Sequence, residues 1–119
     1  MAKLISFDID GTMEFGDPPG ILTVDMARTA LDMGYIIGSC SDRTVSNQQR
    51  LWSEHNVPVS FTVLKHQLDN VKSQFDAEEY YHIGDTELDE YYSGKAGFLF
   101  LQADASAPQV LGLNGPVVQ

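Results

Sequence analysis

Two kinds of segment alternate along the chain: nearly continuous apolar runs, and stretches whose apolar residues recur at helical spacing. Nearly continuous apolar runs, typical of strands buried in a parallel sheet, occupy residues 3–7, 35–40, 57–63, 79–83 and 98–101. The stretches between these runs carry apolar side chains at helical spacing. Because strand and helix alternate with short connections, we predict a three-layer α/β domain with a five-stranded parallel sheet and right-handed crossovers.

The helical spacing differs in strength from one stretch to the next. It is clearest over residues 22–33 and 64–75, where apolar side chains recur three or four positions apart. It is weaker over residues 44–55, and the shortest predicted helix is marked by Leu88, Tyr91 and Tyr92. Pro58 is expected to open the third strand, where its missing N–H is tolerated.

The 119 residues correspond to one domain, of which 43% are hydrophobic, enough for a substantial core. Residues 103–119 form a C-terminal tail with little pattern. For this tail an edge strand, a loop over the core and an oligomer contact all remain open.

The net charge of the chain limits which classes of partner it can bind. The formal net charge is −10, from 17 acidic residues against 7 Lys and Arg. This excess argues against a nucleic acid or an anionic membrane as the main partner, because both are polyanions. It fits carboxylates gathered around a metal ion, and a salt-adapted source is an alternative that the sequence leaves open.

Cysteine usage and hydropathy bear on location. Cys40 is the only cysteine, lies in an apolar run and is expected to be buried, so no intrachain disulfide forms. No run approaches the roughly 18 apolar residues of a membrane helix, and Met1-Ala2-Lys3 leads directly into the first strand. We therefore expect a cytoplasmic, reducing location.

Polar side chains follow the predicted strands at the points where they end. In parallel sheets these carboxyl ends share one edge, where ligands bind. Taken alone, Asp8-Ile9-Asp10-Gly11-Thr12 is about as consistent with a polar turn as with a site. The residues at the strand ends, in order, are Asp8, Asp10, Ser41, Lys65, Asp85 and Asp89.

These residues resemble the four motifs of the haloacid dehalogenase-like hydrolase superfamily, in order and over residues 3–101. Asp8 to Thr12 match the first motif, Asp-x-Asp-Gly-Thr. Ser41 and Lys65 are similar to the Ser/Thr and Lys of the second and third motifs, and Gly84-Asp85-Thr86-Glu87-Leu88-Asp89 matches the fourth. The resemblance implies a Rossmann-like sheet with strand order 5-4-1-2-3.

The resemblance also implies a Mg²⁺-dependent phosphatase. Asp8 would attack phosphorus and form an aspartyl-phosphate, and Asp10 would serve as general acid and base. The metal ligands it implies are Asp8, the backbone carbonyl of Asp10 and Asp85, with Asp89 acting through water or by orienting another group. A phosphorylated substrate, whose identity the sequence leaves open, would contact Gly11, Thr12, Ser41, Arg43 and Lys65.

Several neighbouring residues compete for these roles. Lys72 is the alternative to Lys65 but lies two turns further along the predicted helix. Ser39 is the alternative to Ser41, and Glu87 is the alternative to Asp89. His82 lies inside a strand, where a packed or partner-bonded histidine is expected.

The spans after the first two motifs are too short for the cap domain that many relatives carry. The resemblance therefore implies a capless member, with residues 13–20 as a flap over an open site. Because an open site excludes water poorly, a homo-oligomer that covers it is a reasonable hypothesis.

Two other functions are consistent with the same residues. The first is a receiver-like phospho-acceptor domain, although receivers place the acceptor and the lysine in a different order along the chain. The second is a domain of the same superfamily that binds metal without useful catalytic activity.

Overall fold

The computed structural model describes residues 2–114. Strands and helices alternate as predicted: β1 (Lys3–Phe7), α1 (Val24–Asp32), β2 (Ile36–Ser41), α2 (Val45–Glu54), β3 (Phe61–Leu64), a 3₁₀ turn (Lys65–Gln67), α3 (Leu68–Gln74), β4 (Glu79–Gly84), α4 (Glu87–Ala96), β5 (Leu99–Gln102) and α5 (Ser106–Leu111). The five strands form one parallel sheet in the order β3-β2-β1-β4-β5. The predicted sheet and its strand order are confirmed.

Buried side chains form two clusters, and alternate residues of β1 divide between them because successive strand residues point to opposite faces. Ile5 and Phe7 belong to one cluster, and Leu4 belongs to the other. The first cluster includes α1, Trp52 of α2 and the C-terminal Leu111, and the second includes α3 and Cys40. Apolar side chains therefore pack on both faces of β1, and Cys40 is buried as expected.

Local chemistry explains where the helices start and stop. Thr23, Thr44 and Thr86 each accept a backbone N–H three residues ahead at the start of α1, α2 and α4. Gly97 ends α4 in the left-handed conformation, with φ 79°.

Two predictions about the elements were wrong. The third strand begins at Phe61 rather than at residue 57, and Pro58 lies in the irregular segment before it. The short helix predicted from Leu88, Tyr91 and Tyr92 is α4, in which Leu88 and Tyr91 are exposed and the buried residues are Asp89 and Ser93.

The second correction concerns the C-terminal tail, for which no helix was predicted. It forms α5, which buries Ala107 and Leu111 in the first cluster. Residues 115–119 of the predicted tail lie outside the described residues.

No inserted domain separates the motifs within the described chain. Between β1 and α1 runs a loop with one isolated bridge from Met13 to Leu22, and between β2 and β3 lies only α2 with its connections. Among residues 2–114 there is no helix with the length and apolar character needed to cross a bilayer.

Candidate active site

A cleft of about 150 Å³ opens at the carboxyl ends of β1, β2 and β4. It is lined by Asp8, Asp10, Pro18, Ser41, Asp42, Lys65, Asp85 and Thr86. A larger groove of about 430 Å³ lies between α2 and the segment before β3, but no ionisable side chain lines it. The reactive groups are therefore concentrated in the smaller cleft.

Asp8 follows β1 and is 3% exposed. Its backbone N–H donates to the carbonyl of Ile83 at 2.9 Å, which ties the end of β1 to β4. Burial, together with the negative charge of Asp89, raises the pKa of Asp8 to about 8 despite the opposing charge of Lys65. Burial therefore opposes ionisation of this carboxyl group even with the ammonium of Lys65 nearby.

Asp8, Asp85 and Asp89 each offer one carboxylate oxygen, and these oxygens lie within 4.8 Å of one another. Gly11 makes this approach possible, because it adopts φ +75° and a Cβ there would collide with the Asp85 carboxylate. An all-oxygen donor set suits a hard divalent cation such as Mg²⁺. The crowded, partly buried carboxylates also fit this cation, because it would relieve their repulsion.

Lys65 begins the 3₁₀ turn after β3 and is 7% exposed. Its ammonium lies 3.4 Å from Asp89, 3.6 Å from Asp42 and 4.0 Å from Asp8. Burial alone lowers the pKa of Lys65, but these carboxylates outweigh it and raise the pKa above its ordinary value. The cleft therefore holds a fixed positive charge beside Asp8.

The competing lysine lies elsewhere. Lys72 donates to the carbonyl of Gly97 at 3.2 Å and lies over the ring of Tyr80. Lys65, rather than Lys72, therefore supplies the cation that lines the cleft.

Asp89 is fully buried, and protein donors engage both of its carboxylate oxygens. One oxygen lies 2.9 Å from Nε2 of His82, and the other accepts the N–H and hydroxyl of Thr86 at 3.1 and 2.8 Å. Burial alone would raise the pKa of Asp89, but the hydrogen bond and charge of His82, with Lys65 and Thr86, lower it to about 2. Gly84 leaves room for the Asp89 carboxyl group, since a Cβ at position 84 would collide with it.

The side chain of Asp10 turns to the rim of the cleft. Nε and Nη2 of Arg43 donate to its carboxylate at 3.1 and 2.8 Å, and the backbone N–H of Asp17 donates at 2.8 Å. Burial acts to raise the pKa of Asp10, but the hydrogen bonds from Arg43 and Asp17 lower it. Arg43 is itself held by Asn47 at 2.8 Å.

The loop 13–20, expected as a flap, is fastened to the first motif. Besides the bond from Asp17 to Asp10, the N–H of Gly11 donates to the carbonyl of Pro18 at 2.6 Å. Pro18 thereby forms one wall of the cleft.

Two predicted substrate contacts therefore have no free donor facing the cleft. The N–H of Gly11 is already used by Pro18. Thr12 is fully buried, and its hydroxyl has no hydrogen-bond partner within the described residues.

The two candidate serines have different surroundings. Ser41 lines the cleft, and its hydroxyl oxygen accepts the N–H of Arg43 at 3.1 Å. Ser39 is buried, and its hydroxyl donates to the side chain of Gln48 at 2.6 Å. Of the two serines, Ser41 therefore lines the cleft together with Asp8 and Lys65.

Glu87, the alternative to Asp89, is exposed.

Sequence reasoning missed Asp42, which is bound to Lys65, and the contact between His82 and Asp89. For Asp42 the available signal was its position directly after a strand. For His82 the signal was a second polar residue, Ser6, at the facing position of the neighbouring apolar strand.

The chain was compared with known proteins. No family model matches the sequence, and no curated protein matches it either. Inference about the chemistry of this cleft therefore depends on its own residues and their geometry.

Proposed function

We propose that this chain is a capless phosphatase of the haloacid dehalogenase-like type, with a three-layer Rossmann-like fold. It would hydrolyse phosphate monoesters with the help of Mg²⁺. The observation that carries the proposal is the pairing of a nearly buried nucleophile with a buried cation, since Asp8 lies 4.0 Å from the ammonium of Lys65. A phosphoryl group needs both an attacking oxygen and positive charge.

The chemistry assigns one role to each residue. A carboxylate oxygen of Asp8 attacks phosphorus, the ester P–O bond breaks, and Asp10 gives its proton to the leaving oxygen. Asp10 then takes a proton from water, which attacks the aspartyl-phosphate and releases inorganic phosphate. Ser41 and Lys65 hold the phosphoryl oxygens throughout. Mg²⁺ bound by Asp8, Asp85 and the carbonyl of Asp10 would neutralise charge between nucleophile and phosphoryl group.

Asp10 has to change partners before it can move a proton. A carboxylate bound by Arg43 and by the N–H of Asp17 accepts hydrogen bonds and carries no proton, so it must leave these partners and take up a proton from water before the first step. The pair with Arg43 is partly exposed, so its opening costs little, on the order of 1 kcal/mol or less. Substrate binding is the natural occasion for this exchange.

The test is release of phosphate from p-nitrophenyl phosphate with Mg²⁺. We expect turnover in the wild type, its loss in EDTA, and a decrease of at least about 10³-fold in Asp8→Asn. Asp32→Asn, an exposed aspartate at the end of α1, is the matched control and should retain full activity.

Other outcomes would favour the alternatives. Full activity in Asp8→Asn excludes the proposed nucleophile. A phosphoprotein that persists for many minutes without turnover would indicate a phospho-acceptor domain. Mg²⁺ binding with no turnover of any phosphate ester would indicate a domain without useful activity.

A further inference from the structure

His82 differs in its surroundings from the other two histidines of the chain. It is 1% exposed, whereas His66 is exposed and His55 is half-buried. It lies in β4, two residues before Gly84, and the mechanism proposed above gives it no role. Burying an imidazole costs free energy unless both of its ring nitrogens have hydrogen-bond partners.

Both ring nitrogens of His82 have a partner. Nδ1 lies 2.9 Å from the hydroxyl of Ser6, and Nε2 lies 2.9 Å from Oδ1 of Asp89. Ser6 is the register partner of His82 in the β1–β4 pair, so the sheet itself aligns the two. With a proton on Nε2 the ring donates to Asp89, and the hydroxyl of Ser6 can serve Nδ1 as donor or as acceptor.

The carboxylate of Asp89 connects His82 to Lys65. Its Oδ1 lies 2.9 Å from His82 and also 3.4 Å from the ammonium of Lys65. Its Oδ2 is held by Thr86. The carboxylate therefore cannot turn without breaking several buried hydrogen bonds, and a satisfied buried network of this kind is rigid.

We propose that His82 is a positioning residue for phosphate binding. Supported by Ser6, it fixes the carboxylate of Asp89, which fixes the ammonium of Lys65 against the phosphoryl group. The inference rests on the proposed function, because the phosphoryl group is the ligand expected for Lys65. A histidine that served packing alone would change the stability of the fold and leave the phosphate affinity of the folded protein unchanged.

The experiment measures the dissociation constant of inorganic phosphate by titration calorimetry with Mg²⁺ present. Circular dichroism and urea unfolding give the folded fraction of each variant. His82→Phe removes both hydrogen bonds and should weaken phosphate binding about tenfold or more, the usual effect of losing an outer-shell partner. His82→Gln keeps an N–H donor that can reach Asp89 and should restore part of the affinity.

Two serine variants complete the set. Ser6→Ala removes only the distant hydrogen bond and should weaken phosphate binding by about threefold. If the variants at His82 do not fold, the phosphate affinity of Ser6→Ala tests the positioning role. Ser39→Ala is the matched control, because it removes a fully buried hydroxyl from the neighbouring strand without touching this network, and its affinity should equal that of the wild type.

The outcomes separate this inference from the proposed function. Folded His82→Phe or Ser6→Ala with wild-type phosphate affinity overturns the positioning role and leaves the phosphatase standing. Weakened binding in both, in a protein that turns over no phosphate ester, supports the positioning role and overturns the phosphatase. A wild-type protein that does not bind phosphate overturns both.

Discussion

The floor and the rim of the cleft use the same chemical groups in different surroundings. On the floor, Asp89, His82 and Lys65 are 0%, 1% and 7% exposed. At the rim, the side chains of Asp10 and Arg43 are 35% and 26% exposed. Each region pairs a carboxylate with a cation, but only the rim has water available to replace a lost partner.

This difference separates two tasks of a catalytic site. Groups that must stand ready for a phosphoryl group benefit from a dry, fully hydrogen-bonded setting, because nothing has to reorganise during the reaction. A group that must take up and release protons has to exchange partners, which a half-exposed ion pair permits. The floor is thus suited to positioning and the rim to proton transfer.

The largest expected effect is on the stability of the floor. Asp89→Ala leaves the ring of His82 and the ammonium of Lys65 buried without their shared partner, and it should lower the free energy of unfolding by about 3–5 kcal/mol. Urea unfolding followed by the fluorescence of Trp52 measures this. Asp85→Ala, an exposed carboxylate of the same motif, should change it by no more than about 0.5 kcal/mol. Equal losses in the two variants would mean that burial does not set the stability cost of losing a carboxylate here.

A smaller effect is expected from pH in the metal-free protein. The pKa of Asp8 rises from 3.8 in the unfolded chain to about 8 in the fold. The folded state therefore keeps the Asp8 proton to a higher pH than the unfolded chain does. The stability that this proton contributes is fully present below about pH 4 and is lost as pH rises toward 8. Between pH 5 and 8 the loss should be at most about 4 kcal/mol, since one proton contributes at most about 1.4 kcal/mol per pH unit.

Urea unfolding in EDTA at several pH values tests this slope. Asp8→Asn should remove it, and the difference between wild type and variant isolates Asp8 from other titrating groups. Asp89 does not interfere, because its lowered pKa makes its contribution disappear only as pH falls from about 4 toward 2. Added Mg²⁺ should stabilise the wild type most at pH 8. A wild type whose unfolding free energy has the same pH dependence as Asp8→Asn would contradict the burial argument.

The sheet could be predicted because its signal is redundant. Five apolar runs, each followed by polar residues and separated by helical spacing, leave few alternatives to a parallel sheet. The strand order, by contrast, came from the resemblance rather than from periodicity. Asp8, Asp85 and Lys65 were also identifiable, because each directly follows a strand, whereas Asp89 was selected through the resemblance.

Two features that the sequence did not reveal have a common physical cause. Leu88 and Tyr91 mark α4 in the sequence, yet the buried side of this helix carries Asp89 and Ser93, since it faces a polar network rather than an apolar core. A hydrophobic pattern cannot reveal a face that is buried through hydrogen bonds. For the same reason the role of His82 required the pairing of two strands to be known.

The smallest expected effect belongs to the rim. Arg43→Gln removes the cation from Asp10, but water and the N–H of Asp17 still solvate this carboxylate. The free energy of unfolding should fall by no more than about 1 kcal/mol, and the difference should shrink in high salt, as for other exposed pairs. Arg50→Gln, which breaks an exposed pair with Glu54 on α2, is the matched control and should cost less. A loss near that of Asp89→Ala would mean that Arg43 locks Asp10 in place, and a locked carboxylate could not exchange partners to carry protons.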